Sequence, residues 1–141
     1  MAILETMDMS SKKRKERAEE LLAPFDLMKV AKQPAYTLSG GERRKLEIAR
    51  ALVRDPAILM LDEPFAGVDP LSVNEIQDIV RKLAKQGLGI IITDHNVRET
   101  LSVVDRAYMV YNGRLLKEGT TAELIADDEV RSRYLGAGFR M

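Results

Sequence analysis

The sequence of 141 residues contains no cysteine, which excludes a disulfide framework and any metal site built on thiolates. It also lacks an apolar run near the roughly 20 residues that span a bilayer. Basic and acidic residues number 22 each, so net charge gives no electrostatic reason to expect a nucleic-acid partner. We therefore expect no direct membrane insertion and no nucleic acid, and a reducing cytoplasm is compatible with this composition.

A glycine-rich phosphate loop is missing as well. Loops that cradle nucleotide phosphates follow the pattern G-x-x-x-x-G-K-[ST]. None of the nine glycines is followed by lysine, so these 141 residues contain no such loop. The composition is otherwise that of a folded domain, because 45% hydrophobic and 31% charged residues favour a packed core.

Two short, continuous apolar runs predict an α/β fold. "AILML" and "LGIIIT" are typical of strands buried on both faces of a parallel sheet. Between them, Val73, Ile76 and Ile79 keep helical spacing and Gly87 is placed as a C-cap, which completes a βαβ unit. Later, "RAYMVYNGRLLKEG" predicts a hairpin that turns at Asn-Gly. Further helices are expected after Ser10 or Ser11, from Ser39 to Pro56, in "VRETLSVVD", and after Thr120 or Thr121.

The first of these runs ends in two carboxylates, in "ILMLDEP". Open α/β sheets bind ligands at the carboxyl ends of their strands. Asp62 there could hold Mg²⁺, and Glu63 could orient and deprotonate a water in line with a γ-phosphate. The alternative is a strand that simply ends in a solvated acidic turn.

Two other segments carry candidate site residues. Ser39, Gly40 and Gly41 lead into a helix, where free backbone N–H groups, the helix dipole and a hydroxyl favour an anion. An ordinary helix start is the alternative. His95, the only histidine, follows the second apolar run and could bridge an attacking water and a γ-phosphate, or could be a plain surface histidine.

The order and spacing of these segments resemble those of the ATP-binding-cassette (ABC) ATPases. "LSGGE" is similar to the family's signature motif, "ILMLDEP" to its Walker B strand, "AGVDP" to its D-loop and "TDH" to its switch histidine. The resemblance implies a partial P-loop NTPase-like fold. It would comprise the end of the helical subdomain (1–55), a core α/β segment (56–119) and a helical tail (120–141).

The same resemblance implies a head-to-tail dimer of two ATPase subunits with ATP and Mg²⁺ between them. Ser39, Gly40 and Gly41 would serve the partner's nucleotide. Asp62, as metal ligand, and the catalytic pair Glu63 and His95 would serve this subunit's own nucleotide. Asp69 in the D-loop would touch the opposite site. Integral membrane permease subunits are the other implied partners, with the ATPase peripheral on the cytoplasmic face of the inner membrane.

Within the family, "LDEPFAGVDPLSV", "ITDHNVRETL" and "YLGAGFR" most resemble the lipopolysaccharide-export ATPases. Branched-chain amino-acid importer ATPases are near relatives and stay an alternative. A second alternative is a catalytically inactive module that pairs with a full-length subunit and lends it Ser39-Gly40-Gly41. A DNA-repair or chromosome-structure ATPase is disfavoured, since neither sustained heptads nor a basic surface is present.

The resemblance also suggests that Met1 is an internal methionine of a longer ATPase. Because the phosphate loop is absent, we expect the 141 residues alone not to hydrolyse ATP above background. In the family's sheet, the strand before that loop lies between the switch-histidine strand and the "RAYMVYN" strand. Without it, the run "LGIII" is expected to present an unpaired apolar edge.

Overall fold

The computed structural model describes residues 2–135, and the chain folds as two compact units, Met1–Ile92 and Thr93–Met141. Most of the family-like "YLGAGFR" segment, and the end of the predicted 120–141 tail, lie outside the described residues. The three-part division at 55 and 119 stays a prediction.

The helices are α1 Ala2–Glu5, α2 Ser11–Leu22, α3 Gly40–Ala51, α4 Pro70–Lys85, α5 Val97–Leu101, α6 Thr121–Ala126 and α7 Asp128–Val130. The strands are β1 Ile58–Asp62, β2 Gly89–Thr93, β3 Arg106–Tyr111 and β4 Arg114–Thr120. Short 3₁₀ turns span Ala23–Phe25, Met28–Val30, Ala35–Thr37 and Leu52–Arg54, and a π turn spans Arg131–Leu135.

The helices of the first unit begin and end where local chemistry predicts. The Ser10 hydroxyl accepts a hydrogen bond from the Lys13 N–H and begins α2. The 3₁₀ turn after α3 ends at Asp55, which has φ of 47° and immediately precedes Pro56. Gly87, with φ of 92°, lies just beyond α4 as predicted, in the left-handed conformation that suits glycine after a helix.

The core of the first unit lies among these helices. Leu27, Ile48, Val53 and Ile76 are each almost fully removed from solvent. Burying side chains of this size contributes about 1.5–3 kcal/mol each relative to leaving them exposed. The apolar spacing predicted for α4 therefore marks the face that packs, since Val73, Ile76 and Ile79 are all buried.

The two strands of this unit form the predicted βαβ arrangement. β1 and β2 are neighbours in a two-stranded parallel sheet, joined through α4. The expectation that both strands are buried on both faces is wrong: Leu59 is buried, but Ile58 is 60% and Met60 73% exposed. The reason is that the described part of the unit covers only one face of the sheet. Among residues 2–135, β2 pairs only with β1, which agrees with the predicted open edge.

The second unit is built on the predicted hairpin. β3 and β4 pair antiparallel, and Asn112 and Gly113 turn the chain with φ of 49° and 72°. Its core consists of Leu101, Met109, Leu124 and Val130. The first helix of this unit is shorter than predicted and ends at Leu101. No helix described within residues 2–135 has the length and apolarity needed to cross a membrane.

Candidate functional site

The turn before α3 is fixed by a reciprocal capping box. The Ser39 hydroxyl accepts a hydrogen bond from the Glu42 N–H at 3.2 Å, and the Glu42 carboxylate accepts one from the Ser39 N–H at 3.0 Å. The bond from the Ser39 N–H, followed by the interaction with the Ser39 hydroxyl, lowers the pKa of the Glu42 carboxyl below its usual value, because both favour the charged carboxylate. Helix geometry gives the N–H groups of Gly40 and Gly41 no intrahelical acceptor, so this end of α3 suits an anion.

The two glycines of this turn differ in their surroundings. A Cβ atom at Gly41 would lie 2.2 Å from the Ser72 hydroxyl oxygen and 2.5 Å from its Cβ. A Cβ atom at Gly40 would have the Gly67 carbonyl oxygen as its nearest neighbour, at 3.4 Å. Gly41 is therefore required by the close approach of α3 to α4, whatever binds nearby. Gly40 carries no such packing demand.

Asp69 has a structural role at the start of α4. Its carboxylate accepts a hydrogen bond from the Ser72 N–H at 3.0 Å, and this bond lowers its pKa. Asp69 thus fixes the end of α4 that meets Gly41. The contact with an opposite nucleotide site, implied by the family resemblance, stays a prediction.

A further contact between α3 and α4 is an ion pair. Lys45 Nζ lies 2.8 Å from a Glu75 carboxylate oxygen, and only 7% of the Lys45 side chain is exposed. Removing a buried charge's partner is costly, because the remaining charge is left without compensation. The pair therefore favours one alignment of the two helices.

The pair of carboxylates lies at the carboxyl end of β1, as predicted. Asp62 is the last residue of the strand, and both it and Glu63 are exposed. Glu63 has φ of 46°, and a left-handed conformation costs a non-glycine residue about 1–2 kcal/mol. Residues before proline are also restricted, and Pro64 follows, almost fully buried. The conformation of this turn is therefore stabilised by contacts with the residues around it and not by the intrinsic backbone preference of glutamate.

An arginine on α3 makes one of these contacts. Arg44 Nη2 donates a hydrogen bond to the Glu63 carbonyl oxygen at 3.0 Å, and Nη1 contacts Glu47 at 2.8 Å. The Ala66 N–H donates to the same carbonyl at 3.2 Å. The structure thus joins the helix that begins at Ser39 to the turn that carries Glu63.

The donor set at Asp62 fits magnesium bound together with a nucleotide. Within residues 2–135, no group of three or more acidic or histidine side chains could hold a metal ion without other ligands. Mg²⁺ in nucleotide sites commonly takes one or two carboxylates, with phosphate oxygens and water as its other ligands. A single exposed carboxylate at a strand end is compatible with that coordination.

His95 belongs to the second unit, separated from the end of β2 by Asp94, and 73% of its side chain is exposed. The neighbouring Asp94 side chain is buried and accepts a hydrogen bond from the Asn96 N–H at 2.7 Å. Asn96 in turn caps α5. Asp94 thus shapes the loop from which His95 projects into solvent.

Three residues that matter here were missed from the sequence. Ser72 had no signal, since a small polar residue on an amphipathic helix is ordinary. Arg44 is one of several basic residues on α3, and spacing alone does not show that it reaches Glu63. Asp94 precedes His95, and its position between a strand and a capped helix is the sequence feature that could have indicated its role in this loop.

Comparison with known proteins places these motifs. The family model described as "ABC transporter" matches residues 1–66. A "Probable ABC transporter ATP-binding protein" of Azorhizobium caulinodans is 50% identical over 140 residues, 99% of this chain and 50% of that protein. The "Lipopolysaccharide export system ATP-binding protein LptB" of Escherichia coli K12 is 49% identical over 142 aligned positions, covering all of this chain and 59% of that protein.

Solved structures agree with the sequence relatives. The ADP-bound crystal structure of MJ1267, an ATP-binding cassette of an ABC transporter, superimposes with a TM-score of 0.80 at 29% identity. The match covers 93% of this chain and 53% of that one. The chain thus spans only about half the length of the relatives it matches.

Proposed function

We propose that this chain, which belongs to the family of ABC transporter ATPases, supplies the signature, Walker B and switch segments of an ATP-hydrolysing subunit. One observation carries the proposal. Glu63 stands exposed at the carboxyl end of β1 in a strained backbone conformation, and such conformations persist where function requires a fixed geometry. The strain at Glu63, just before a buried proline, is compatible with a carboxylate that is held in one position.

The residues take the following roles. Asp62 holds Mg²⁺, and Glu63 accepts a proton from the attacking water. His95 orients that water, in keeping with an exposed imidazole at a strand end. When bound, ATP–Mg²⁺ supplies the electrophilic γ-phosphate and neutralises the charge that develops on it.

The turn at Ser39, Gly40 and Gly41 serves the nucleotide of a second subunit in a head-to-tail dimer. The N–H groups of Gly40 and Gly41 have no acceptor within α3, and α4 approaches the turn most closely at Gly41. Asp69 lies at the adjacent start of α4 and reaches the same opposite site.

The transported substrate we propose is lipopolysaccharide, with integral permease subunits as partners and the ATPase at the cytoplasmic face of the inner membrane. The E. coli relative, which carries that substrate in its name, supports this choice. A second candidate is a signature-donating module without its own activity.

A reconstituted subunit tests the proposal. In it, the phosphate-loop portion of the E. coli relative is fused ahead of residue 1 of this chain. We expect the fusion to hydrolyse ATP, and Glu63→Gln to lower the rate about 10²–10⁴-fold, because general-base assistance is lost. The rate is measured as phosphate release at saturating ATP and Mg²⁺.

The control is Glu16→Gln, which removes an exposed carboxylate on α2. It should leave the rate within about twofold, as expected of a surface change. Near-normal hydrolysis by the Glu63→Gln subunit would exclude Glu63 as the base. A folded fusion without hydrolysis that still pairs with a full-length subunit would favour the module.

A further inference from the structure

Arg44 makes the side-chain hydrogen bond that links α3 to the backbone of Glu63. Its side chain is 27% exposed, and its guanidinium donates through two nitrogens, one to the Glu63 carbonyl and one to the Glu47 carboxylate. A planar guanidinium fixes both directions together, which a flexible ammonium cannot do. The bond to Glu47, one turn further along α3, keeps Arg44 oriented toward the Glu63 turn.

The Glu63 turn needs such a constraint. The φ of 46° is unfavourable for glutamate, and the restriction imposed by Pro64 adds to it. Pro64 and Phe65 are buried and fix the far side of the turn. The carbonyl of Glu63 is fixed by the Ala66 N–H and by Arg44. Of these two bonds, the one from Arg44 comes from a distant part of the sequence.

We propose that Arg44 is a positioning residue, which sets the direction of the Glu63 carboxylate by fixing the backbone carbonyl of the same residue. This inference rests on the proposed function, because it concerns the base of that reaction. It also links two roles: the helix that presents Ser39 and Gly40 to a second subunit is hydrogen-bonded to the catalytic turn of its own subunit. A movement of α3 is therefore transmitted to Glu63.

The first test uses the 141-residue chain and does not depend on ATP. Amide hydrogen exchange is measured at Ala66, whose N–H donates to the Glu63 carbonyl. Arg44→Ala should speed this exchange about 5- to 10-fold, because the turn opens more often. Arg43→Ala removes the same charge from an exposed position on the same helix and should change it less than about twofold.

The second test uses the reconstituted subunit. Arg44→Ala should lower kcat about 10-fold or more while leaving KM for ATP within about threefold, because positioning of the base acts on the chemical step. Arg43→Ala measures the share that comes from losing a positive charge on α3. Arg44→Lys keeps the charge but lacks the two paired nitrogens of a guanidinium, so its kcat should lie between those of Arg44→Ala and the unmodified subunit.

A double-variant cycle separates positioning from general damage. In a Glu63→Gln background, Arg44→Ala should cause less than about a twofold further loss, because the group that Arg44 acts through is already gone. Equal losses in both backgrounds would overturn the inference and leave the proposed function standing, as would unchanged exchange at Ala66. If Glu63→Gln has no effect while exchange at Ala66 responds to Arg44→Ala, the proposed function fails and the backbone link remains.

Discussion

The turn before α3 and the turn after β1 both carry candidate site residues, but different forces hold them. Ser39 and Glu42 form a capping box within four residues of chain. Glu63 is held by Arg44, 19 residues earlier, and by the burial of the residues that follow it. The first turn would form in many proteins with this sequence. The second forms only when the whole unit is folded.

This difference has a functional meaning. A turn that binds an anion through its backbone can be formed early and locally, because its N–H groups are directed by the helix itself. A catalytic carboxylate must be held within a narrow range of positions, so it is better fixed by contacts that form only in the complete fold. We therefore expect substitutions in the two turns to change stability by different amounts.

The largest effect is expected for Phe65→Ala, next to the Glu63 turn. Phe65 is 4% exposed, and removing a buried phenyl group costs about 3–5 kcal/mol of unfolding free energy. Leu71→Ala is the control, because Leu71 is 71% exposed and should change stability by less than about 0.5 kcal/mol. Urea unfolding measures both. Equal small losses would show that burial does not hold this turn.

The next effect concerns the two glycines of the α3 turn. Gly41→Ala should destabilise the chain by about 1–3 kcal/mol, because the added methyl overlaps Ser72. Gly40→Ala has room and should be neutral, or stabilising by up to about 1 kcal/mol through helix propensity. Adding Ser72→Gly to Gly41→Ala should recover part of the loss. A Gly41→Ala chain as stable as the Gly40→Ala chain would contradict the close helix approach.

The smallest effect is a pH dependence of the capping box. The pKa of Glu42 is lowered in the folded chain, so its contribution is present above the unfolded value of about 4.5 and is lost as the pH falls through the folded value. Glu42→Gln keeps an acceptor for the Ser39 N–H but does not titrate in this range. The free energy of unfolding of the Glu42→Gln chain should therefore fall less between pH 6 and pH 3 than that of the unmodified chain.

The comparison for that pH experiment is Glu16→Gln, which removes one exposed carboxylate elsewhere. The same flattening in both variants would assign the effect to net charge and not to the capping box. Thermal unfolding followed across the pH range gives the slopes.

The extent to which sequence predicted this structure follows the same division. The start of α3 at Ser39, the hairpin turn at Asn112-Gly113 and the βαβ order depend on local chemistry, and all were predicted. The exposed faces of Ile58 and Met60 were not predicted, because an apolar run shows its preference for burial and not whether a covering layer exists. The same limit applied to Ser72 and Arg44, whose importance comes from distant contacts.

The measurement that tests the account most directly is the ATP-dependent association of the reconstituted Glu63→Gln subunit, followed by light scattering. With ATP and Mg²⁺, it should form a dimer that dissociates without nucleotide. Adding Gly40→Glu should return it to monomer, because the carboxylate repels the partner's phosphates. A Cβ atom has room at Gly40 and a carboxylate suits the start of a helix, so the fold should survive. A dimer that persists with Gly40→Glu would contradict the role given to this turn.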